Sequence, residues 1–305
     1  MLRKLIGLAA VAGIVGLAAF WFLTVPESGP ASALAAPHAV NLPNGKTMFD
    51  AGGCVSCHAP DKDDRTRLGG GTALKSPFGT FYTPNISSDA KDGIGGWSEA
   101  QFVTAMIKGT SPGGEHLYPS FPYPSYQRMA LGDLRDLFAY LKTLPAIAGR
   151  ARDHDLPFPF NIRRMLGGWK LLFLDGKPFA PDVKQSAERN RGAYLVNGPG
   201  HCAECHSPRN ALGGIVSGQR FAGGPNPEGE GWIPNITQKR LASWSVKDIA
   251  DLLQSGMTPE FDSVGGGMAA VIRNTSQLGD ADRNAMAVYI KSLAPVDGPP
   301  RPPKK

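Results

Sequence analysis

The sequence predicts an all-α fold, and three observations carry that prediction. Apolar residues recur at helical spacing in Leu134, Leu137, Phe138 and Leu141, and again in Met286, Ala287, Ile290 and Leu293. Two capping boxes open helices, Ser98 with Gln101 and, in a weaker form with Asp in the last position, Ser245 with Asp248. Gly109 and Gly256 stop those helices, and Pro112 and Pro259 follow three residues on. No stretch reads as a β-sheet. The 38 Gly and 27 Pro of the 305 residues predict many loops around few helices.

The helices come in two sets because the chain repeats itself. "PNISSDAKDGIGGWSEAQFVTAMIKGTSP" (84–112) matches "PNITQKRLASWSVKDIADLLQSGMTP" (234–259). Trp97 pairs with Trp244, Ser98 with Ser245 and Gly109 with Gly256, each at an offset of 147, and "LGDLRDLFAYLKTLP" opens at that offset from "LGDADRNAMAVYIKSLAP". Two domains of one ancestry follow, at 40–148 and 186–296. In each, a helix leads into a cysteine pair, a long Gly-rich loop follows, then a capped helix and a final helix. A linker covers 26–39. The segment 149–185 between the domains is too apolar for a flexible connector, and "NIRRMLGGWKLLFL" reads as a short amphipathic helix. That helix either packs across both domains or offers a surface to a partner protein or the membrane. The end, 297–305, reads as a disordered Pro-rich tail.

At the N-terminus Arg3 and Lys4 precede an uncharged run from Leu5 to Val25. That run matches the ~20 residues a helix needs to cross a bilayer. A cleavage signal follows its apolar core closely, whereas the small-residue "ALA" at Ala33 to Ala35 comes well after this run ends. Residues 1–25 therefore read as an uncleaved transmembrane anchor with Trp21 in the interfacial aromatic belt. The two cations hold the N-terminus in the cytoplasm, so the domains lie outside, on the periplasmic face of a bacterial inner membrane.

All four cysteines fall in two copies of one pattern, "CVSCH" (Cys54, Cys57, His58) and "CAECH" (Cys202, Cys205, His206). C-x-x-C-H is the attachment signature of c-type haem. Two thiols at this spacing reach the two vinyl groups of one porphyrin, and the adjoining imidazole lands on the iron. A zinc site built from both pairs wants them some 15–20 residues apart, and these lie 148 apart. A thioredoxin-type pair wants a βαβ context that is missing here. Two haem c are expected. The net charge of +6 is mild and no basic run carries interleaved aromatics, which excludes nucleic acid as a partner.

The blocks "TPNI…GIGGWS", "GEHLYPSFPYPSY", "LFAYLKTLP", "LPFPFNIR", "RGAYLVNGPGHCAECHSPRNALGG" and "VIRNTSQLGDADRNAMAVYIKSL" resemble the cytochrome c subunits of membrane-bound periplasmic dehydrogenases. The resemblance runs from about residue 44 to 296. It implies two tandem cytochrome c domains after the transmembrane helix. It also implies a dehydrogenase subunit as electron donor, acting on alcohols, gluconate, fructose or aldehydes, and a quinone or terminal oxidase as acceptor. Many members carry three haem domains; two are present in this sequence.

His58 and His206 are the proximal iron ligands by their place in the motif. An electron-transfer haem usually takes Met as second axial ligand. In the second domain Met268 is the candidate, and Met257, at a helix end, is its competitor. The offset projects Met268 back onto Phe121, which cannot ligate iron. Met129 lies eight residues later, on a loop stiffened by Pro119, Pro122 and Pro124, and is the replacement. His116, Met106 and an open iron are the alternatives. Asn85, Trp97, Asn235, Trp244 and Arg209 are candidate haem-propionate contacts or, equally, structural residues. The function expected is electron transfer without chemistry of its own. A dihaem enzyme of the cytochrome c peroxidase kind, with an open first haem and His116 as acid or base, is the alternative. A haem-based sensor has no output domain here.

Overall fold

The computed structural model describes residues 1–61, 63–229 and 231–301. Helix α1 (Leu2–Leu23) has no buried residue. Then come α2 (Ala31–Leu34), α3 (Leu42–Ala51), α4 (Cys54–His58), strands β1 (Ala73–Ser76) and β2 (Gly79–Tyr82), α5 (Glu99–Lys108), α6 (Tyr123–Tyr126) and α7 (Leu131–Thr143). A connecting helix α8 (Met165–Phe173) follows. The order then recurs: α9 (Ala187–Asn197), α10 (Ala203–His206), β3 (Gly224–Pro225), β4 (Trp232–Ile233), α11 (Gln238–Leu241), α12 (Val246–Ser255), α13 (Gly267–Thr275) and α14 (Asp280–Lys291).

The chain is mostly helical, but the expectation of no β-structure is corrected. The Gly-rich loop after each cysteine motif folds back as a short antiparallel hairpin, β1 on β2 and β3 on β4. Strands of four and two residues are too short to leave an alternating pattern.

Each set is built on one helix crossing, α3 against α7 and α9 against α14. Both crossings are made at a glycine, Gly45 and Gly192, which are twins at the offset of 147. A Cβ on Gly45 would collide with the Asp136 carbonyl, and one on Gly192 with the Ala285 carbonyl, so only glycine lets the helices meet. The apolar faces expected of the final helices are buried: Leu134, Leu137, Phe138 and Leu141 in α7, Met286, Ala287 and Ile290 in α14. Both capping boxes form, Ser98 with Gln101 and Ser245 with Asp248. Gly109 and Gly256 end their helices in the left-handed region at φ 57° and 76°.

The connecting segment is bound at many points. Asp155 pairs with Thr80 of β2, the Tyr118 hydroxyl donates to the Phe160 carbonyl at 3.0 Å, and the Phe179 and Tyr194 rings lie 5.5 Å apart. At the other end, Asp297 pairs with Lys239 at 2.7 Å, so the tail is tied down where it begins. Its last residues, 302–305, lie outside the described residues.

Candidate functional site: two cysteine–histidine motifs

Both motifs sit on a single helical turn, α4 and α10, so each cysteine pair and its histidine face one side. The histidine is latched from two directions in the same way each time. The His58 Nδ1–H donates to the Pro84 carbonyl at 2.8 Å, and that of His206 to the Pro234 carbonyl at 2.8 Å. A carbonyl only accepts, so Nδ1 carries the proton and the lone pair falls on Nε2, the atom a haem iron takes. The main-chain carbonyls of the same residues accept from Gly70 N–H and Gly223 N–H, each at 2.8 Å. These glycines have φ 75° and 74°, and a Cβ on Gly70 would collide with the Pro84 carbonyl itself.

Cys54, Cys202 and Cys205 do not carry the lowered pKa of redox-active thiols. Burial pushes Cys54 and Cys205 up to about 12 and Cys202 up to about 11. A disulfide-exchange cysteine has its pKa lowered instead. Among the described residues no group of three or more His, Cys, Asp or Glu side chains gathers for a metal ion. Two thiols with one tautomer-fixed imidazole, twice over, fit two haem c.

The structure distributes the other predicted residues unevenly. Met129 is 3% exposed and lies in the core beyond α6, its Met129 N–H donating to the Tyr126 carbonyl at 2.9 Å. Met268 is the second residue of α13 and packs at the edge of the core. The loop expected around Met129 holds the short helix α6, and Met268 lies in α13. Phe121 packs on the Tyr126 ring at 5.4 Å. Met257 is on the surface, 42% exposed, and Met106 is buried in α5. His116 is buried and its Nε2–H donates to the Thr24 carbonyl at 2.9 Å, a tie to the end of α1. Burial holds its pKa below the usual histidine range.

Of the candidate propionate contacts, Asn85, Asn235 and Arg209 have polar partners within the chain. Both amide hydrogens of Asn85 go to the carbonyls of Ile147 and Gly149, at 2.6 and 2.9 Å, so none is left for a carboxylate. Asn235 donates to the Val296 carbonyl at 2.8 Å. Each asparagine thus clips the loop below its histidine to the chain leaving the final helix. Arg209 pairs with Glu204 at 2.7 Å and donates to the Gly213 carbonyl at 2.7 Å. Trp97 and Trp244 pack against the core.

Each motif also touches the other set of helices. Ser56, inside the first motif, accepts from the Asn274 amide of α13 at 2.7 Å. Glu204, inside the second motif, accepts from the Ser125 hydroxyl of α6 at 2.8 Å. Each motif therefore rests on the helix of the other set that precedes its final helix. His201 joins them, its Nε2–H donating to the Gly52 carbonyl at 3.2 Å and its ring 5.7 Å from that of Tyr126. Pro84, Pro234, Gly70 and Gly223 were missed in the sequence. The repeated "PN" was visible, but the atom that matters is a main-chain carbonyl.

Comparison with known proteins agrees with this geometry. The cytochrome c family model matches residues 42–145. A diheme cytochrome c-type protein of Cereibacter sphaeroides is 48% identical over 300 residues, covering 97% of this chain and all of the relative. The chain belongs to the dihaem c-type cytochromes. This cytochrome is also 35% identical over 272 residues to the fructose dehydrogenase cytochrome subunit of Gluconobacter japonicus. It is 37% identical over 258 residues to the alcohol dehydrogenase (quinone) cytochrome c subunit of Gluconacetobacter polyoxogenes. The cytochrome covers 88% and 80% of itself in those matches and spans about half the length of each subunit, 54% in both.

Proposed function

We propose that this cytochrome is a two-haem electron carrier, held at a membrane by α1, that accepts electrons from a periplasmic dehydrogenase subunit and passes them to a quinone or oxidase. Its cofactors are two haem c. Cys54 and Cys57 would hold one through thioether bonds and Cys202 and Cys205 the other, in two tandem cytochrome c domains at 40–148 and 186–296. Bound there, each haem supplies a reversible one-electron couple. The chain's own part is to fix the ligands. Pro84 and Pro234 hold His58 and His206 in the tautomer that presents Nε2, and a hydrogen bond at Nδ1 raises the basicity of the ring. Met268 and Met129 would each supply a thioether as the remaining protein ligand to one haem.

The duplicated latch carries this reading. The same two hydrogen bonds of the same length hold both histidines. A peroxidase needs one haem to diverge toward chemistry, with acid and base groups beside it, and His116 is tied to Thr24 instead. The dehydrogenase partner follows from relatives whose names describe subunits of such complexes. Arg3 and Lys4 would keep the N-terminus cytoplasmic and the haem domains periplasmic. A potentiometric titration of the full-length, haem-loaded protein, followed by haem absorbance, tests this. Two reversible one-electron steps are expected, with only slow oxidation of the reduced protein by added hydrogen peroxide. Rapid catalytic turnover of peroxide would overturn it.

A further inference from the structure

We infer that α8 is a second membrane contact, its Met165–Leu171–Leu172 face lying in lipid at the level where α1 leaves the bilayer. The inference rests on the reading of α1 as a membrane anchor. That helix is 22 residues long, about 33 Å, which matches a hydrocarbon core of about 30 Å and puts Phe20 to Thr24 at its outer boundary.

Helix α8 is fixed against that boundary. A Cβ on Gly168 would lie 3.0 Å from the Phe20 ring, and one on Gly167 2.5 Å from the Thr24 Cβ and 2.9 Å from His116 Nε2. The Arg164 guanidinium lies 4.3 Å over the Trp21 ring and donates to the Trp21 carbonyl. An arginine on a tryptophan beside an apolar helix end is the chemistry of the headgroup layer.

The other side of α8 is bound to the globular part, so its rotation is set. Lys170 Nζ donates to the carbonyls of Lys108 and Gly109 at 2.6 and 2.7 Å, completing the C-terminus of α5. The Trp169 indole N–H donates to the Leu212 carbonyl at 2.9 Å, and the Phe173 ring fills the space beside Gly214. The residues left over flank Gly168, which itself meets Phe20. Met165, Leu171 and Leu172 stand three residues before this glycine and three and four after it, on the same side of the helix. They are 54%, 59% and 67% exposed. Because Gly168 meets Phe20, this stripe continues the apolar surface of α1 sideways. A surface continuous with a bilayer-spanning helix at the bilayer's edge meets lipid.

Hydroxyl-radical footprinting of the full-length, haem-loaded protein, alone in phosphatidylethanolamine–phosphatidylglycerol nanodiscs, tests the inference. Trp21 and Phe22 report whether α1 is inserted, and Phe261, 89% exposed, is the solvent reference. With α1 protected, Met165, Leu171 and Leu172 are expected to label at least about fivefold less than Phe261. The substitution Leu172→Glu should restore labelling at Met165 with the haem spectrum unchanged. If α1 is protected while the α8 face labels like Phe261, or is shielded only once a dehydrogenase is added, the inference fails and the anchor stands. If Trp21 and Phe22 also label freely, the anchor reading fails and takes the inference with it.

Discussion

The two halves of the molecule agree around the motif histidine and disagree in the stretch before the final helix. Around the histidine, Pro84 and Gly70 in one half and Pro234 and Gly223 in the other make the same pair of hydrogen bonds. Before the final helix, the first half has a four-residue helix, α6, a ring cluster of Phe121, Tyr123 and Tyr126, and a fully enclosed Met129 at its end. The second half has a nine-residue helix, α13, entered through Gly265 to Gly267, with Met268 at its start. The part made by main-chain atoms has been copied without change. The part made by side chains differs, and a thioether offered from either position would serve as an iron ligand. Our account is that Met129 has taken over from the position now held by Phe121.

The strongest way to break this comparison is to remove the latch from one half at a time. Gly70→Val and Gly223→Val each force a β-branched residue to positive φ and drive a side chain into the carbonyl-bearing loop. Each should cost roughly 2–4 kcal/mol and about half of the haem content, read as the haem-to-protein ratio of the purified chain. Equal losses are expected. A loss in one half only would show that the shared geometry hides unequal roles.

A gentler test uses the helix caps. Ser98 and Ser245 occupy twin positions and both accept from the N–H three residues on, at 3.2 and 3.1 Å. Ser98→Ala and Ser245→Ala should each lower stability by about 1 kcal/mol in chemical denaturation, with both haem spectra unaltered. A cost above that in one variant would mean the box also supports a haem site.

These caps mark what was legible in the sequence. Ser98, Gln101, Ser245, Asp248, Gly109 and Gly256 each act through a local backbone rule, so their pattern alone located two helices to the residue. The motif cysteines and histidines were legible for the same reason. Less visible were the features that depend on contacts far along the chain. The hairpins are held by few residues, α13 hides among glycines, and the Pro84 and Pro234 carbonyls are atoms every residue has. Asn85 was singled out by its recurrence but serves the carbonyls of Ile147 and Gly149. The apposition of α8 and the end of α1 joins residues more than 140 positions apart, at Gly168 and Phe20.

The displaced thioether remains the central claim, and one measurement reaches it directly. It is the low-temperature EPR spectrum of the oxidised full-length protein, recorded beside Met129→Leu and Met268→Leu. The account predicts two low-spin haems in the parent protein, one of them turned high-spin by the first substitution and the other by the second. A high-spin haem already present in the parent, or a Met129→Leu spectrum identical to it, would contradict the account.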